Sequence, residues 1–393
     1  MSHSHPEGEQ ILDVTIEAVR DRFHTLNVPL AYFDGPAGTQ VPDSVLEAVS
    51  GYMLAANANA GGKFLTSMVT DDVISSARAA ASDLLGVLTD EVTFGANMTS
   101  LNFVLSRAAS RDWKAGDEVV ATRLDHDANI SPWLEIAHDK GVVVKLAELD
   151  DECRIDLDHL GSLVSDRTRV VAFPMASNAV GTITPAKEIV EIAHSVGALA
   201  WAEAVHYAPH GDIETPEIGC DVLLCSPYKF FGPHLGLAWV RREVSEGWRP
   251  YKVRPQSDSP GQRHETGTLP HEPLCGFVAC VEYLHGVGWK FISEHERKLG
   301  QRFLDGLPDG WTLHGPPTME GRVPTFCVSP PDETPGEAAA RLGAAGFAVW
   351  DGNYYAVEVF DYLGLPDGAI RIGIVHTNME DEVDRLLAAL PKQ

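Results

Sequence analysis

Short apolar runs alternate with segments of helical periodicity through the middle of the chain. Seven of these runs are rich in β-branched residues and are predicted to be strands, at 91–94, 118–121, 142–146, 169–174, 198–202, 221–225 and 235–240. Between them, 157–164 and 186–196 carry apolar residues at helical spacing. Residues 170–173 are continuously hydrophobic, which indicates a strand buried on both faces. The pattern predicts an α/β fold with a mostly parallel, seven-stranded sheet covered by helices.

The pattern changes after residue 276, where Pro-rich turns separate shorter elements. We predict helices at 277–287, 292–304, 336–345 and 380–390, and strands at 323–328, 347–350 and 369–373. These elements are typical of a smaller α+β domain. We therefore expect an N-terminal segment, 1–30, that packs on the small domain, a large domain, 31–275, and a small C-terminal domain, 276–393.

Composition and charge exclude several classes of function. Lys+Arg 30 against Asp+Glu 56 gives a formal net charge of −26, and no local basic patch offsets it, so a nucleic-acid partner is not expected. The six cysteines are far apart, without CxxC pairs, in a chain too long to need disulfides. The polar N-terminus resembles no signal peptide, and no apolar stretch has the length of a membrane span. We expect a cytoplasmic protein with no metal site.

Chemically unusual residues follow the predicted strands, where ligands of α/β sheets bind. Lys229 lies among aromatic and turn residues in the segment 226–234. Burial there would lower the pKa of the lysine and favour the free amine that a Schiff base requires. The alternative is a surface lysine whose alkyl stem lies along the protein.

Two further strand ends carry polar groups suited to a cofactor. Glu203 and His206 follow the strand at 198–202, and an acid in this place can hold a heterocyclic nitrogen protonated. Asn97 and Thr99 lie in a Gly-led turn that opens a helix, whose free N–H groups suit a phosphate. An ordinary helix cap would have the same sequence. His126 and Asn178 follow two other strands, and each is equally compatible with a simple turn.

The order and spacing of these residues resemble the fold type I pyridoxal-phosphate enzymes, specifically the class V aminotransferase and cysteine desulfurase-like group. The resemblance extends from 32–40 through Lys229 to Arg371. It implies pyridoxal 5′-phosphate as the cofactor and an amino acid as the substrate. It also implies a homodimer with shared active sites.

The resemblance assigns roles residue by residue. Lys229 is similar to the lysine that forms the internal aldimine and moves the substrate α-proton, His126 to the histidine stacked on the pyridine ring, and Glu203 to the acid beside the ring nitrogen. The implied cofactor-binding residues are these three with Asn97, Met98, Thr99, Asn178, His206, Ser226, Tyr228 and, reaching the neighbouring subunit's phosphate, Thr268.

The substrate side follows from the same resemblance. Arg371 resembles the arginine that holds the substrate α-carboxylate, a task suited to its planar fork. Asn59, Phe64, Tyr354 and Tyr355 are expected to line the substrate, with plain packing as an equal alternative for these four.

Two departures from the family pattern affect the expected reaction. Glu203 stands where the family has aspartate, which would weaken stabilisation of a Cα carbanion. The stretch 349–355 holds neither the desulfurase's loop cysteine nor its second arginine. We therefore expect β-elimination from a cysteine S-conjugate by a C–S lyase rather than persulfide formation. The alternatives are a class V aminotransferase or an epimerase, and a non-catalytic scaffold is less expected.

Overall fold

The structure, a computed structural model, describes residues 14–391. Its strands are β1 (Ala31–Tyr32), β2 (Val92–Gly95), β3 (Glu118–Thr122), β4 (Val143–Ala147), β5 (Thr168–Pro174), β6 (Leu199–Glu203), β7 (Val222–Cys225), β8 (Gly236–Val240), β9 (Thr312–His314), β10 (Thr325–Ser329), β11 (Phe347–Ala348), β12 (Trp350–Gly352) and β13 (Ala369–Gly373). Its helices are α1 (Ile16–Arg20), α2 (Asp43–Ala55), α3 (Leu65–Leu85), α4 (Met98–Ala109), α5 (Ser131–Lys140), α6 (Leu157–Leu163), α7 (Ala186–Ser195), α8 (Thr215–Ile218), α9 (Arg242–Gly247), α10 (His271–Val287), α11 (Trp289–Gly306), α12 (Pro335–Ala344), α13 (Val357–Leu363) and α14 (Glu380–Ala389).

A seven-stranded sheet in the order β2-β8-β7-β6-β5-β3-β4 forms the centre of the molecule. Strands β3 to β7 pair in parallel, and β8 pairs antiparallel with both β7 and β2. The sequence-based prediction of this sheet is confirmed, with each strand end within one residue of its expected place. The parallel strands bring their carboxyl ends to one edge of the sheet.

Hydrophobic cores on both faces explain the continuous apolar strands. In β5, Val171 and Phe173 belong to one core, whereas Val170 and Ala172 belong to the core on the opposite face. Because successive side chains of a strand point to opposite faces, a strand covered on both sides needs apolar residues at every position.

The C-terminal region contains a four-stranded antiparallel sheet in the order β12-β13-β10-β9. The expected small α+β layer is thus present. The single strand expected at 347–350 is divided, because β11 pairs with β1 in a separate two-stranded sheet while β12 pairs with β13. Strand β9 and helix α13 were not predicted, since both are short and lie beside Pro- and Gly-rich turns.

The expected domain division stays a prediction. Helix α10 runs through the proposed boundary at 275 and packs on α2 and α3. In the N-terminal segment, residues 1–13 lie outside the described part of the chain. Arg20, in the described part, pairs with Glu382 at 3.1 Å, whereas Phe23 packs edge-on against Phe231 and Tyr283. None of the helices within 14–391 has the length and apolarity that a membrane crossing requires.

Candidate active site

A cavity of about 1100 Å³ lies where the carboxyl ends of the central strands meet the small antiparallel sheet. The turns after β3, β5, β6 and β7 form one wall of the cavity, and the beginning of α4 forms part of another wall. The turn between β12 and α13, together with β13, closes the opposite side. The position at the strand ends is where the topology of α/β sheets concentrates ligand-binding groups.

Lys229 lies in a short 3₁₀ turn directly after β7 and points into the cavity. Its Nζ donates hydrogen bonds to the carbonyl oxygens of Pro36 at 2.6 Å and Ala37 at 2.9 Å. It also lies 4.9 Å from the centre of the Tyr228 ring. Removal from water, helped by the positive charge of Arg371, lowers the pKa of Lys229 to about 7. A large fraction of the side chain is therefore the neutral, nucleophilic amine at neutral pH.

The beginning of α4 forms a polar cradle beside Lys229. Asn97 caps the helix by accepting a hydrogen bond from Ser100 N at 2.8 Å, and Ser226 Oγ accepts one from Met98 N at 2.9 Å. A Cβ atom on Gly236 would lie 2.6 Å from the backbone of Asn97, so only glycine allows β8 to approach this turn. The Met98 N–H, expected to face a phosphate, is thus bonded to Ser226, whereas Thr99 is exposed at the cavity wall.

His126 lies in the turn after β3, and Glu203 is the last residue of β6, with β5 between these two strands. The Nδ1 atom of His126 accepts a hydrogen bond from Ala128 N at 3.0 Å, and burial lowers the pKa of the imidazole to about 4, so the ring is neutral with its proton on Nε2. Glu203 Oε1 accepts a hydrogen bond from Val205 N at 2.5 Å. Burial, with a contribution from the nearby Asp125, raises the pKa of Glu203 to about 8. Glu203 therefore holds a proton at neutral pH.

Asn178 and His206 connect the large sheet to the small one. His206 Nε2 is hydrogen-bonded to Thr325 Oγ1 at 2.9 Å, and burial keeps the pKa of His206 well below its usual value. Asn178 Nδ2 donates to the carbonyl of Tyr354 at 2.9 Å. The Asn178 Oδ1 atom is buried without a hydrogen-bond partner among residues 14–391.

Arg371 lies in the middle of β13, buried at the cavity wall. Its guanidinium lies 4.4 Å from the centre of the Tyr354 ring, and in the described part of the chain its one hydrogen bond goes to the carbonyl of Asn178 at 3.0 Å. Burial lowers the pKa of Arg371 to about 10, so the group stays charged at neutral pH. Its buried Nε has no partner within 14–391. A buried cation with unused donors is suited to an anionic ligand.

Tyr354 and Tyr355 form a constrained turn above the cavity. Both have a left-handed backbone, with φ of 53° and 59°, which is unfavourable for residues other than glycine. The turn is held because the Tyr354 hydroxyl donates to the carbonyl of Ala369 and because Asp127 N donates to the carbonyl of Tyr355 at 2.7 Å. The Tyr355 ring stacks on His126 with centroids 5.6 Å apart.

Most of the residues expected from the sequence lie in this one cavity. Those that line it are Asn97, Met98, Thr99, His126, Asn178, Glu203, His206, Ser226, Tyr228, Lys229, Tyr354, Tyr355 and Arg371. The other three, Asn59, Phe64 and Thr268, lie outside it and are exposed on the surface of this chain.

Sequence reasoning missed several residues of the wall. The carbonyls of Pro36 and Ala37 bind Lys229, although both residues lie in the segment 32–40 that carried the resemblance. Trp350 also lines the cavity, although the family pattern specifies only a cysteine and an arginine in 349–355 and gives no role to a tryptophan. Thr325, the partner of His206, lies 119 residues away in sequence, and no local signal connects the two.

None of the six cysteines lines the cavity. All six lie within the described residues; five are buried, and Cys275 is partly buried. Burial raises the pKa of the Cys153 and Cys275 thiols to about 11, which disfavours the reactive thiolate.

The residues present fit pyridoxal 5′-phosphate. The cavity offers an amine with a lowered pKa in Lys229, a buried acid in Glu203, and the side chains of Asn97, Thr99 and Ser226 beside a helix N-terminus for an anion. Two polar atoms of residues that line the cavity, Asn178 Oδ1 and Arg371 Nε, are buried without a hydrogen-bond partner in the described part of the chain, which indicates that the cavity is built for a polar ligand.

Comparisons with known proteins agree with this geometry. Residues 31–386 match the family model described as Aminotransferase class-V. A probable cysteine desulfurase of Halalkalibacterium halodurans is 30% identical over 381 residues, which cover 93% of this chain and 93% of that protein. A cysteine desulfurase of Synechococcus elongatus is 30% identical over 380 residues, which cover 92% of this chain but 60% of that longer protein.

A solved structure shows the same architecture over nearly the whole chain. The apo structure of cysteine desulfurase from Thermococcus onnurineus NA1 has a TM-score of 0.90 and 26% sequence identity, and the match covers 95% of this chain and 96% of that one. The family match, the fold and the lysine-containing cavity agree with one another. The chain therefore belongs to the class-V aminotransferase family of pyridoxal-phosphate-dependent enzymes.

Proposed function

We propose that the protein is a C–S lyase that catalyses β-elimination from a cysteine S-conjugate. In the balanced reaction, R–S–CH₂–CH(NH₂)–COOH and water give R–SH, pyruvic acid and ammonia. The observation that carries this proposal is a cavity that combines an amine of lowered pKa, Lys229, with an unpaired cation, Arg371, and contains no thiol. The first two groups suit an amino-acid substrate, and the third feature disfavours sulfur transfer to the protein.

In this proposal, Lys229 and Arg371 act on the substrate directly. Arg371 binds the α-carboxylate through its unused donors and thereby fixes the orientation of the Cα–H bond. The neutral amine of Lys229, whose pKa is lowered to about 7, would take the proton from Cα. Pyridoxal phosphate supplies an aldehyde that joins amines covalently and a ring that withdraws electrons from Cα.

Other residues of the cavity would orient the pyridine ring and determine whether its nitrogen is protonated. The side chains of Asn97, Thr99 and Ser226 would offer donors for the phosphate at the start of α4, where the N–H groups of Met98 and Ser100 are already bonded to Ser226 and Asn97. The imidazole of His126, which is neutral because burial lowers its pKa to about 4, would offer a flat face to the ring. Because burial raises the pKa of this carboxyl to about 8, Glu203 would donate a hydrogen bond to the ring nitrogen while keeping its proton.

The glutamate at position 203 favours elimination over reactions that need a longer-lived carbanion. A carboxyl that keeps its proton at neutral pH stabilises positive charge on the ring nitrogen less than an ionised aspartate does. Stabilisation of negative charge at Cα is then modest. A good leaving group at Cβ, such as a thiolate, shortens the lifetime of that charge and suits such a site.

Transamination is the second candidate, because the matched family model is that of class-V aminotransferases. The same lysine, arginine and acid serve both reactions, as they also would in epimerisation. The products distinguish the candidates, since transamination leaves the cofactor in its pyridoxamine form and releases no thiol.

We also propose a homodimer with shared active sites. Asn59, Phe64 and Thr268 lie outside the cavity of their own chain and are exposed, with Phe64 at 58%. Large apolar side chains are exposed beside them on α2 and α3, namely Leu46, Met53, Leu54, Leu65 and Met68. Several large exposed apolar side chains on two successive helices are typical of an interface. Light scattering should give twice the chain mass of 42.6 kDa, and a monomer at micromolar concentration would contradict the proposal.

Product analysis tests the proposed reaction. Incubation of the cofactor-loaded protein with S-benzyl-L-cysteine should give benzyl thiol and pyruvate in equal amounts. Free L-cysteine and L-alanine are the matched controls and should give neither persulfide nor a lasting pyridoxamine form. Persulfide formation from free cysteine would overturn the argument from the missing thiol, and pyridoxamine accumulation with an amino acid would favour the aminotransferase.

A further inference from the structure

Trp350 lies beside the residue assigned to the substrate carboxylate. In the antiparallel pair of β12 and β13, Trp350 is directly opposite Arg371. Side chains directly opposite each other in such a pair project from the same face of the sheet and lie within contact distance. Trp350 lines the same cavity, and 51% of its surface is exposed. A large aromatic side chain thus stands next to the carboxylate anchor with one side free.

Tyr355 forms a second aromatic surface on this side of the cavity. Its ring is 72% exposed and rests on His126. The left-handed turn at Tyr354 and Tyr355 is fixed at both carbonyls by Asn178 and Asp127. Because the turn is pinned, the aromatic surface is arranged before any substrate enters, which reduces the entropy cost of binding.

The part of the cavity wall that this chain supplies offers no further lysine or arginine for a second negative charge on the substrate. Among the described residues that line it, the only lysine and arginine are Lys229 and Arg371, and the proposed function uses both. The carboxylate of Asp127 lines the same space and accepts a hydrogen bond from Ser131 at 2.6 Å. An acidic substituent would therefore lose its water without gaining a cation and would meet a like charge.

We propose that Trp350 determines specificity by forming, with Tyr355, an apolar subsite for the substituent on the substrate Cβ. The subsite accepts uncharged aryl or alkyl thioethers and rejects substituents that carry a carboxylate. This inference rests on the proposed function, because it concerns the substrate of that same site. It assigns to the amino acid a side chain larger and less polar than that of free cysteine.

Kinetics with matched substrates test the subsite. For the wild type, kcat/KM should be at least about tenfold higher for S-benzyl-L-cysteine than for S-carboxymethyl-L-cysteine. Trp350→Ala should lower the ratio of kcat/KM for S-benzyl- over S-methyl-L-cysteine about tenfold, mainly through KM, because the lost contact is with the substituent rather than with the reacting atoms. Trp350→Phe keeps an aromatic surface and should keep most of the ratio.

A charge-introducing variant provides the opposite test. Trp350→Arg places a cation beside Arg371 and should shift preference toward S-carboxymethyl-L-cysteine by about tenfold or more. If the wild type turns over both conjugates with similar kcat/KM, or if Trp350→Ala and Trp350→Arg leave these ratios unchanged, the inference is wrong.

Equilibrium binding separates this inference from the proposed reaction. The compound 2-amino-5-phenylpentanoate has a methylene where S-benzyl-L-cysteine has sulfur, and 2-aminoadipate bears the same relation to the carboxymethyl conjugate, so neither has a thiol to release. The loaded wild type should bind the phenyl compound at least about tenfold more tightly, measured by the change in cofactor absorbance, and Trp350→Arg should reduce or reverse that preference. If the phenyl compound binds more tightly as expected but S-conjugates give neither pyruvate nor thiol, the subsite is supported and the lyase proposal is refuted. If S-conjugates are turned over but the phenyl compound binds no more tightly than 2-aminoadipate, the lyase proposal is supported and the subsite is refuted.

Discussion

Replacing Lys229 by alanine is expected to lower kcat for S-benzyl-L-cysteine by at least about a thousandfold, because the variant loses both the amine that joins the cofactor and the base that takes the Cα proton. The measurement is steady-state pyruvate formation by protein loaded with excess cofactor. The side chain points into a cavity, so its loss removes no packing from the core, and the carbonyls of Pro36 and Ala37 can bond to water instead.

Lys229→Arg is the matched control for charge. Arginine keeps a cation at this position but stays protonated at all accessible pH values, so it provides neither a nucleophile nor a base. It should be as inactive as the alanine variant. Activity within tenfold of the wild type in either variant, with the far-ultraviolet circular dichroism unchanged, would exclude Lys229 from the chemistry.

Replacing Arg371 by methionine is expected to lower kcat/KM by about a hundredfold or more, since the charge-assisted hydrogen bonds to the carboxylate are lost. Arg371→Lys should fall between this variant and the wild type, because lysine keeps the charge without the planar fork. Steady-state kinetics with S-benzyl-L-cysteine measure both effects.

Stability separates a binding role of Arg371 from a structural one. The guanidinium is buried with an unpartnered Nε and a pKa lowered by burial, so its presence costs folding free energy. Arg371→Met replaces the guanidinium by an apolar side chain of similar length. The midpoint of its thermal unfolding should therefore be at or above that of the wild type. The assigned role would be contradicted if kcat/KM of Arg371→Met fell by less than threefold. It would also be contradicted if the midpoint of thermal unfolding fell sharply together with the activity.

The central sheet was predictable because its signal is local. A strand buried on both faces needs consecutive apolar residues, and 170–173 is such a run. The convergence of Lys229, Glu203 and Asn178 was predictable for a topological reason, since the carboxyl ends of parallel strands meet at one edge. The roles of these residues came from the family resemblance rather than from the pattern.

The parts that sequence did not predict depend on tertiary contacts. In the sequence, residues 347–350 have the pattern of one continuous strand. That pattern does not reveal that β11 pairs with β1 in the short sheet, whereas β12, which begins at Trp350, pairs with β13. The place of Trp350 opposite Arg371 depends on that exchange. Likewise, the raised pKa of Glu203 reflects burial and the approach of Asp125, and neither is visible in a sequence window.

The central claim is that the Lys229 amine joins the pyridoxal aldehyde, and borohydride reduction followed by peptide mapping tests it most directly. Protein loaded with the cofactor at a series of pH values is reduced, digested and analysed by mass spectrometry. Because burial lowers the pKa of Lys229 to about 7, the reactive neutral amine prevails above that pH and is lost below it. We predict one pyridoxyl-bearing peptide, which contains Lys229, with an initial rate of labelling that rises through about pH 7. Labelling of another lysine, or no label on Lys229 at any pH, would contradict the account.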